Sequence, residues 1–219
     1  MDYNEIGIRA FKENNVEKAA EAFTKAIETE PNNALAYINF GNLLASMYDT
    51  ERAERFFQKA ITLDETAATA YYGLAGLYYN EERFEEAAKL YEKTLQYGID
   101  GADAYYMLGK CFERLDQTKL ALPYLQRAKE ISPDDVQIRL SYAILLASLE
   151  LFKEAEPELK SVLELSPENA DAHYNLGVLY AVSTQRKEDA LFHLKKAFTI
   201  QPDFDQAKYI HDMIAMNPQ

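Results

Sequence analysis

The sequence predicts an all-α chain of helical repeats, and three residue series carry that prediction. Ala19, Ala53, Ala87, Ala121 and Ala155 stand 34 residues apart, and Ala190 follows one residue late. Gly7, Gly41, Ala75, Gly109, Ala143 and Gly177 run at the same period. Phe23, Phe57, Tyr91, Leu125 and Leu159 form the third series, with Leu194 again one late. A fixed period of this length marks a solenoid, in which one supersecondary unit is copied and stacked. The copies fall at about 1–33, 34–67, 68–101, 102–135, 136–169 and 170–204, with a further helix over about 204–215. The expectation is one domain spanning 1–219, with its function in a surface the copies build together.

The third copy shows the unit. Tyr71, Leu74, Ala75 and Tyr78 repeat at helical spacing, then Asn80-Glu81-Glu82-Arg83 breaks the pattern. Phe84, Ala87, Ala88, Tyr91 and Leu95 resume it, which predicts two short helices joined by a polar turn. Gly or Ala in the first helix is expected to face Ala in the second, where the axes cross closest. The aromatic series is expected to fill the space between successive pairs. Pro31, Pro133, Pro167 and Pro202 end second helices. Asn32, Asp134 and Glu168 follow three of them and suit the start of the next helix. Pro123 and Pro157 lie early in second helices, where each removes about one backbone bond. Ser183-Thr184-Gln185-Arg186-Lys187 carries one extra residue and lengthens the sixth turn. The segment from Phe204 to Ile214 is helical by spacing but has Asp212 where a partner helix needs a small residue, so it reads as a polar cap. The first copy's outer face is expected to be tolerably polar, as Arg9 suggests.

Composition narrows the function. The chain has 219 residues, 48% of them hydrophobic, which is ample for a packed core. A net charge of −13 repels phosphate backbones and anionic membranes, so neither nucleic acid nor membrane is an expected partner. A single cysteine excludes an intramolecular disulfide framework and fits a reducing compartment. The start, Met1-Asp2-Tyr3-Asn4-Glu5, lacks the basic segment and apolar run of a signal peptide, so a cytoplasmic protein is expected.

No catalytic constellation emerges. Cys111 occupies the register of Leu43, Leu77, Leu145 and Leu179, which makes it a core thiol. His173 occupies the register of Tyr37, Tyr71 and Tyr105 and reads as a packing substitute. His173, His193 and His211 are not at metal-ligand spacing, and the Glu-Glu runs read as solvated faces. The expectation is a protein that is not an enzyme, with no cofactor and no metal.

The pattern resembles the tetratricopeptide repeat. Tyr105, Leu108-Gly109, Phe112, Ala121, Leu125, Ala128 and Pro133 reproduce its signature with one aromatic-to-Leu change. The resemblance covers about residues 1 to 202. Glu65 and Ile99 depart from it at the closing proline, and Thr94 and Val162 at the later alanine. It implies a right-handed α-solenoid of six helix-turn-helix repeats plus a C-terminal capping helix, a small stand-alone bacterial-type adaptor. It also implies that first helices line a concave groove. By that resemblance the groove residues are Ile38, Asn39 and Asn42 in the second copy and Tyr72, Gly76 and Tyr79 in the third. The fourth gives Tyr106, Lys110 and Arg114, the fifth Leu140 and Ile144, and the sixth Tyr174, Asn175 and Val178.

Tyrosine supplies rigid area with a polar tip, and Asn can bond both backbone groups of an extended peptide. The expected function is therefore a scaffold that binds a peptide segment of a partner protein. A self-associating module is the alternative; the partner's identity, its extended or helical form, and monomer against weak homo-oligomer stay open. A chaperone-tail clamp is a further alternative, but Asn4, Ile38 and Tyr72 stand where that clamp needs lysine.

Overall fold

A computed structural model describes residues 2–183 and 186–216. They form two compact units, one ending at Gln117 and one beginning at Thr118. The first unit holds α1 (Tyr3–Lys12), α2 (Val16–Thr29), α3 (Ala34–Ser46), α4 (Thr50–Leu63), α5 (Ala68–Asn80), α6 (Phe84–Gln96) and α7 (Ala102–Arg114). The second holds α8 (Thr118–Ile131), α9 (Val136–Ser148), α10 (Phe152–Leu165), α11 (Ala170–Ser183), α12 (Lys187–Ile200) and α13 (Asp205–Met216). The described residues contain no strand. Within each unit, neighbouring helices pair and successive pairs stack, as the repeat predicts. Two of the residues expected to lengthen the sixth turn, 184 and 185, lie outside the described residues.

The turns explain the helix ends. Asn14, Tyr48, Glu82, Asp116 and Glu150 have φ of 58 to 61° and stand 34 residues apart. Each follows a first helix. The next residue's N–H then reaches back to the carbonyl five positions earlier, as in Asn15 to Ala10, Asp49 to Leu44 and Arg83 to Tyr78. That is a Schellman closure, which needs a left-handed residue just beyond the helix. The same device stops α6: Gly98 has φ 99°, and the Ile99 N–H bonds to the Thr94 carbonyl. It replaces the proline that this copy lacks. The caps after the prolines sit one residue later than expected. Asn33, Asp135 and Asn169 accept from Leu35, Ile138 and Ala172, while Asn32, Asp134 and Glu168 form the turn itself. Two residues are needed after each proline to reverse the chain before a side chain can reach a free helix N–H.

The three series form the core. Ala19, Ala53, Ala87, Ala121, Ala155 and Ala190 are fully buried, as are Phe23, Phe57, Leu125, Leu159 and Leu194, and Tyr91 nearly so. One expectation needs correcting. The first-helix glycines make room for the aromatic series rather than for the alanines. A Cβ on Gly7 would lie 2.4 Å from the Phe23 ring, one on Gly41 2.9 Å from Phe57, and one on Gly177 2.6 Å from Leu194. The bulky residue of the second helix lies across the backbone of the first, so that backbone carries no side chain there.

One register pair varies its chemistry while keeping its place. Tyr37 and Phe56 make a ring contact at 5.9 Å in the second copy. Arg139 and Glu158 make an ion pair at 2.7 Å in the fifth. His173 and His193 join Nδ1 to Nδ1 at 2.8 Å in the sixth. The first member also ties the preceding turn: Tyr37 Oη, Tyr71 Oη, Arg139 and His173 each bond to a carbonyl six residues back. His173 thus replaces a tyrosine in function as well as in position. Because the Pro167 carbonyl only accepts, His173 carries its hydrogen on Nε2. Its Nδ1 then accepts from the Nδ1–H of His193.

Candidate functional site

In the first unit α1 touches α3 and α3 touches α5, so first helices lie side by side on one face. Side chains at i, i+4 and i+7 share one stripe of a helix, so positions 38, 42 and 45 lie together, as do 72, 76 and 79. Ile38 is buried, at 4% exposure. Its short branched side chain ends below the surface, where the tyrosine at the same register in the next copy reaches past it. Asn39 donates to the buried Asn4 Oδ1 at 2.9 Å, so its amide is engaged between α1 and α3. Asn42 is exposed.

Tyr72 stands edge-on to Tyr91, with ring centroids 5.6 Å apart. Burial, and then the nearby Asp103 charge, push its phenol above the usual tyrosine value. Gly76 exposes backbone above the Tyr91 hydroxyl, which a Cβ there would approach to 3.7 Å. Tyr79 packs edge-on against Phe84 at 5.3 Å, and burial raises its pKa against the lowering effect of Lys110 and Arg114. Tyr106 is half-buried.

The two cations are already engaged. Lys110 Nζ lies 2.6 Å from Glu113 Oε2. Arg114 sits over the Phe84 ring at 4.4 Å and approaches Glu82 at 3.7 Å. An acidic ligand group would have to displace these contacts.

In the second unit α9 touches α11 and α11 touches α13. Leu140 is buried at 5% exposure and belongs to the core with Leu176 and Leu179, for the reason that buries Ile38. Ile144 is half-buried against that core. Tyr174 stacks on Phe204 at 4.8 Å, and Val178 joins them beside Leu194 and Ala197. The Asn175 amide donates to the Asp171 carbonyl at 2.8 Å.

The sequence reasoning missed three residues on this face. Tyr209, Met213 and Met216 on α13 are 66%, 49% and 79% exposed. They continue the registers of Tyr174, Val178 and Ala181 with the same late step that displaces Ala190. The C-terminal helix therefore covers the core with Ala207 and presents an apolar stripe, where a polar cap was expected. The repeat register, carried one copy further, was the signal that could have found them.

The Cys111 thiol is fully buried and its pKa is pushed up to about 12 by burial, the opposite of an activated nucleophile. Among the described residues no group of three His, Cys, Asp or Glu side chains converges as a metal site. No helix among them is long and apolar enough to cross a membrane.

Stacked helical hairpins of this kind define a helical-repeat protein of the solenoid class. Comparison with known proteins supports this. The family described as "Cilia and flagella-associated protein 70 C-terminal domain", a tetratricopeptide type, matches residues 3–176, and the tetratricopeptide repeat itself matches residues 170–204. The chain belongs to the tetratricopeptide-repeat family.

The crystal structure of YrrB, described as a tetratricopeptide protein with an unusual peptide-binding site, is 46% identical. The match covers 89% of this chain and 100% of that one with a TM-score of 0.83. A shorter match to the curated "TPR repeat-containing protein YrrB" of Bacillus subtilis (strain 168) is 61% identical over 36 residues. That match spans 16% of this chain and 18% of the curated relative's length. PilF of Pseudomonas aeruginosa superposes with a TM-score of 0.82 at 18% identity, covering 96% of each chain, and shows the fold alone.

Proposed function

We propose that this protein is a non-catalytic adaptor that holds a peptide segment of a partner protein on the faces built by its first helices. The observation that carries the reading is the row of half-buried tyrosines there. Tyr72, Tyr79 and Tyr106 lie in the first unit and Tyr174 in the second, each braced by a neighbouring ring or helix yet left with open surface. Rigid aromatic groups of this kind give contact area at low entropic cost. The 46% identity to YrrB, whose description names a peptide-binding site, supports the same reading. A cytoplasmic location is part of the proposal.

The test is selection of peptides from a displayed random library by the full chain and by the double variant Tyr72→Ala with Tyr106→Ala. Wild type is expected to enrich a peptide class that the variant, with an unchanged melting point, binds at least tenfold more weakly. Equal binding by the variant would sink the role of these tyrosines.

A further inference from the structure

One hollow on the first unit's face has a composition that the general reading does not explain. It has a volume of about 380 Å³ and opens between α3, α5 and α7. Asn42, Thr69, Tyr72 and Asp103 give it polar groups, and Ile99 and Ala104 give it aliphatic walls. Among the described residues no Lys, Arg or His lines it. Asp103 is exposed and forms no ion pair among the described residues. Its charge acts on the Tyr72 phenol, so the carboxylate and the ring share the same space.

We propose that this hollow is a specificity pocket for an arginine side chain of the bound peptide, a proposal that rests on the peptide-binding reading above. The chemistry selects this occupant. A carboxylate ligand would meet Asp103 as a like charge. An apolar side chain would strip water from Asp103 and Asn42 without replacing its hydrogen bonds. An arginine lays its aliphatic stem against Ile99 and Ala104, stacks its planar head on Tyr72, and offers two parallel N–H donors to the Asp103 carboxylate. Asn42 Oδ1 and the Thr69 hydroxyl can accept from the donors left over. The net charge of −13 adds a long-range field of the same preference. Lysine satisfies the charge but not the planar stack, so it ranks second.

Two measurements test the pocket. In the first, N-acetyl-arginine methylamide is titrated into the full chain and backbone amides are followed by NMR. Saturable shifts are expected at Gly73, Gly101 and Ala104. The isosteric but uncharged citrulline analogue should give none, and Asp103→Asn should weaken the arginine probe by about tenfold. Asp103→Glu keeps the charge and should recover most of the affinity. Equal shifts with citrulline, or an Asp103→Asn protein that binds arginine as wild type does, would overturn the assignment.

In the second, peptides selected from the library should carry arginine at one fixed position and lose it when Asp103→Asn is the bait. Enrichment without a basic position leaves the peptide-binding reading standing and removes the pocket. Absence of any enrichment removes the peptide-binding reading, and the arginine titration then decides the pocket alone.

Discussion

The His173–His193 pair makes stability depend on pH in a direction that its burial sets. Burial, followed by the neighbouring His173, lowers the His193 pKa from 6.5 to about 4. Burial also lowers that of His173. Asp189 opposes the His193 shift, while Lys160 and Arg186 reinforce it; Lys196 lowers His173, and Glu168 and the Pro167 carbonyl raise it. A depressed folded pKa means the unfolded chain binds more protons between the two values, so stability falls as pH drops through that window. A second proton would set N–H against N–H across the 2.8 Å gap.

Going from pH 7 to pH 5, a folded value of about 4 against 6.5 gives a loss of roughly 2 kcal/mol, reduced to about 1–2 kcal/mol because the ring is only partly buried. The perturbation is the double variant His173→Tyr with His193→Phe, which rebuilds the Tyr37–Phe56 contact of the second copy. Urea unfolding followed by circular dichroism at pH 7 and 5 measures both proteins. Wild type should lose about 1–2 kcal/mol more than the variant over that interval. Parallel losses would refute the reasoning, because the remaining titrating groups are common to both chains.

Three further outcomes follow from the packing. Tyr48 is 93% exposed with φ 60°, so Tyr48→Asn should stabilise the chain by about 0.5–1 kcal/mol through relief of left-handed strain, read as a higher urea midpoint. Gly7→Ala puts a methyl 2.4 Å from the Phe23 ring and should cost about 1–3 kcal/mol, read in the same assay. Cys111 should react with a thiol reagent at the rate of global opening, so native labelling at the rate of a free thiol would contradict its buried, raised-pKa state.

The fold was legible because a repeat states its own register. Three series at one period located the helices, placed Cys111 and His173 in packing positions and marked the late step near Ala190. What the register could not convey was what each small residue makes room for. Gly7 and Gly41 read as partners of the alanines, yet they lie under phenyl rings, because sequence spacing fixes a face without fixing which neighbour crosses it. The face residues were legible as positions and less so as surface. Ile38 and Leu140 share the register of Tyr72 and Tyr174 but are buried, since side-chain length decides what emerges there. Lys110 and Arg114 were legible as groove positions, but not that Glu113, Glu82 and Phe84 hold them. Asp212 marks the polar side of α13 and leaves the face of Tyr209 and Met213 undetermined, which is why that exposed stripe was not legible from it.

The central claim is that first-helix faces, and not the outer second helices, carry the partner. A library-selected peptide bearing a photoreactive benzophenone, crosslinked to the full chain and mapped by mass spectrometry, tests it directly. The account predicts attachment on α3, α5 and α7 or on α9, α11 and α13, with competition by the unlabelled peptide. Competed attachment confined to second helices such as α4, α6 or α10 would contradict it.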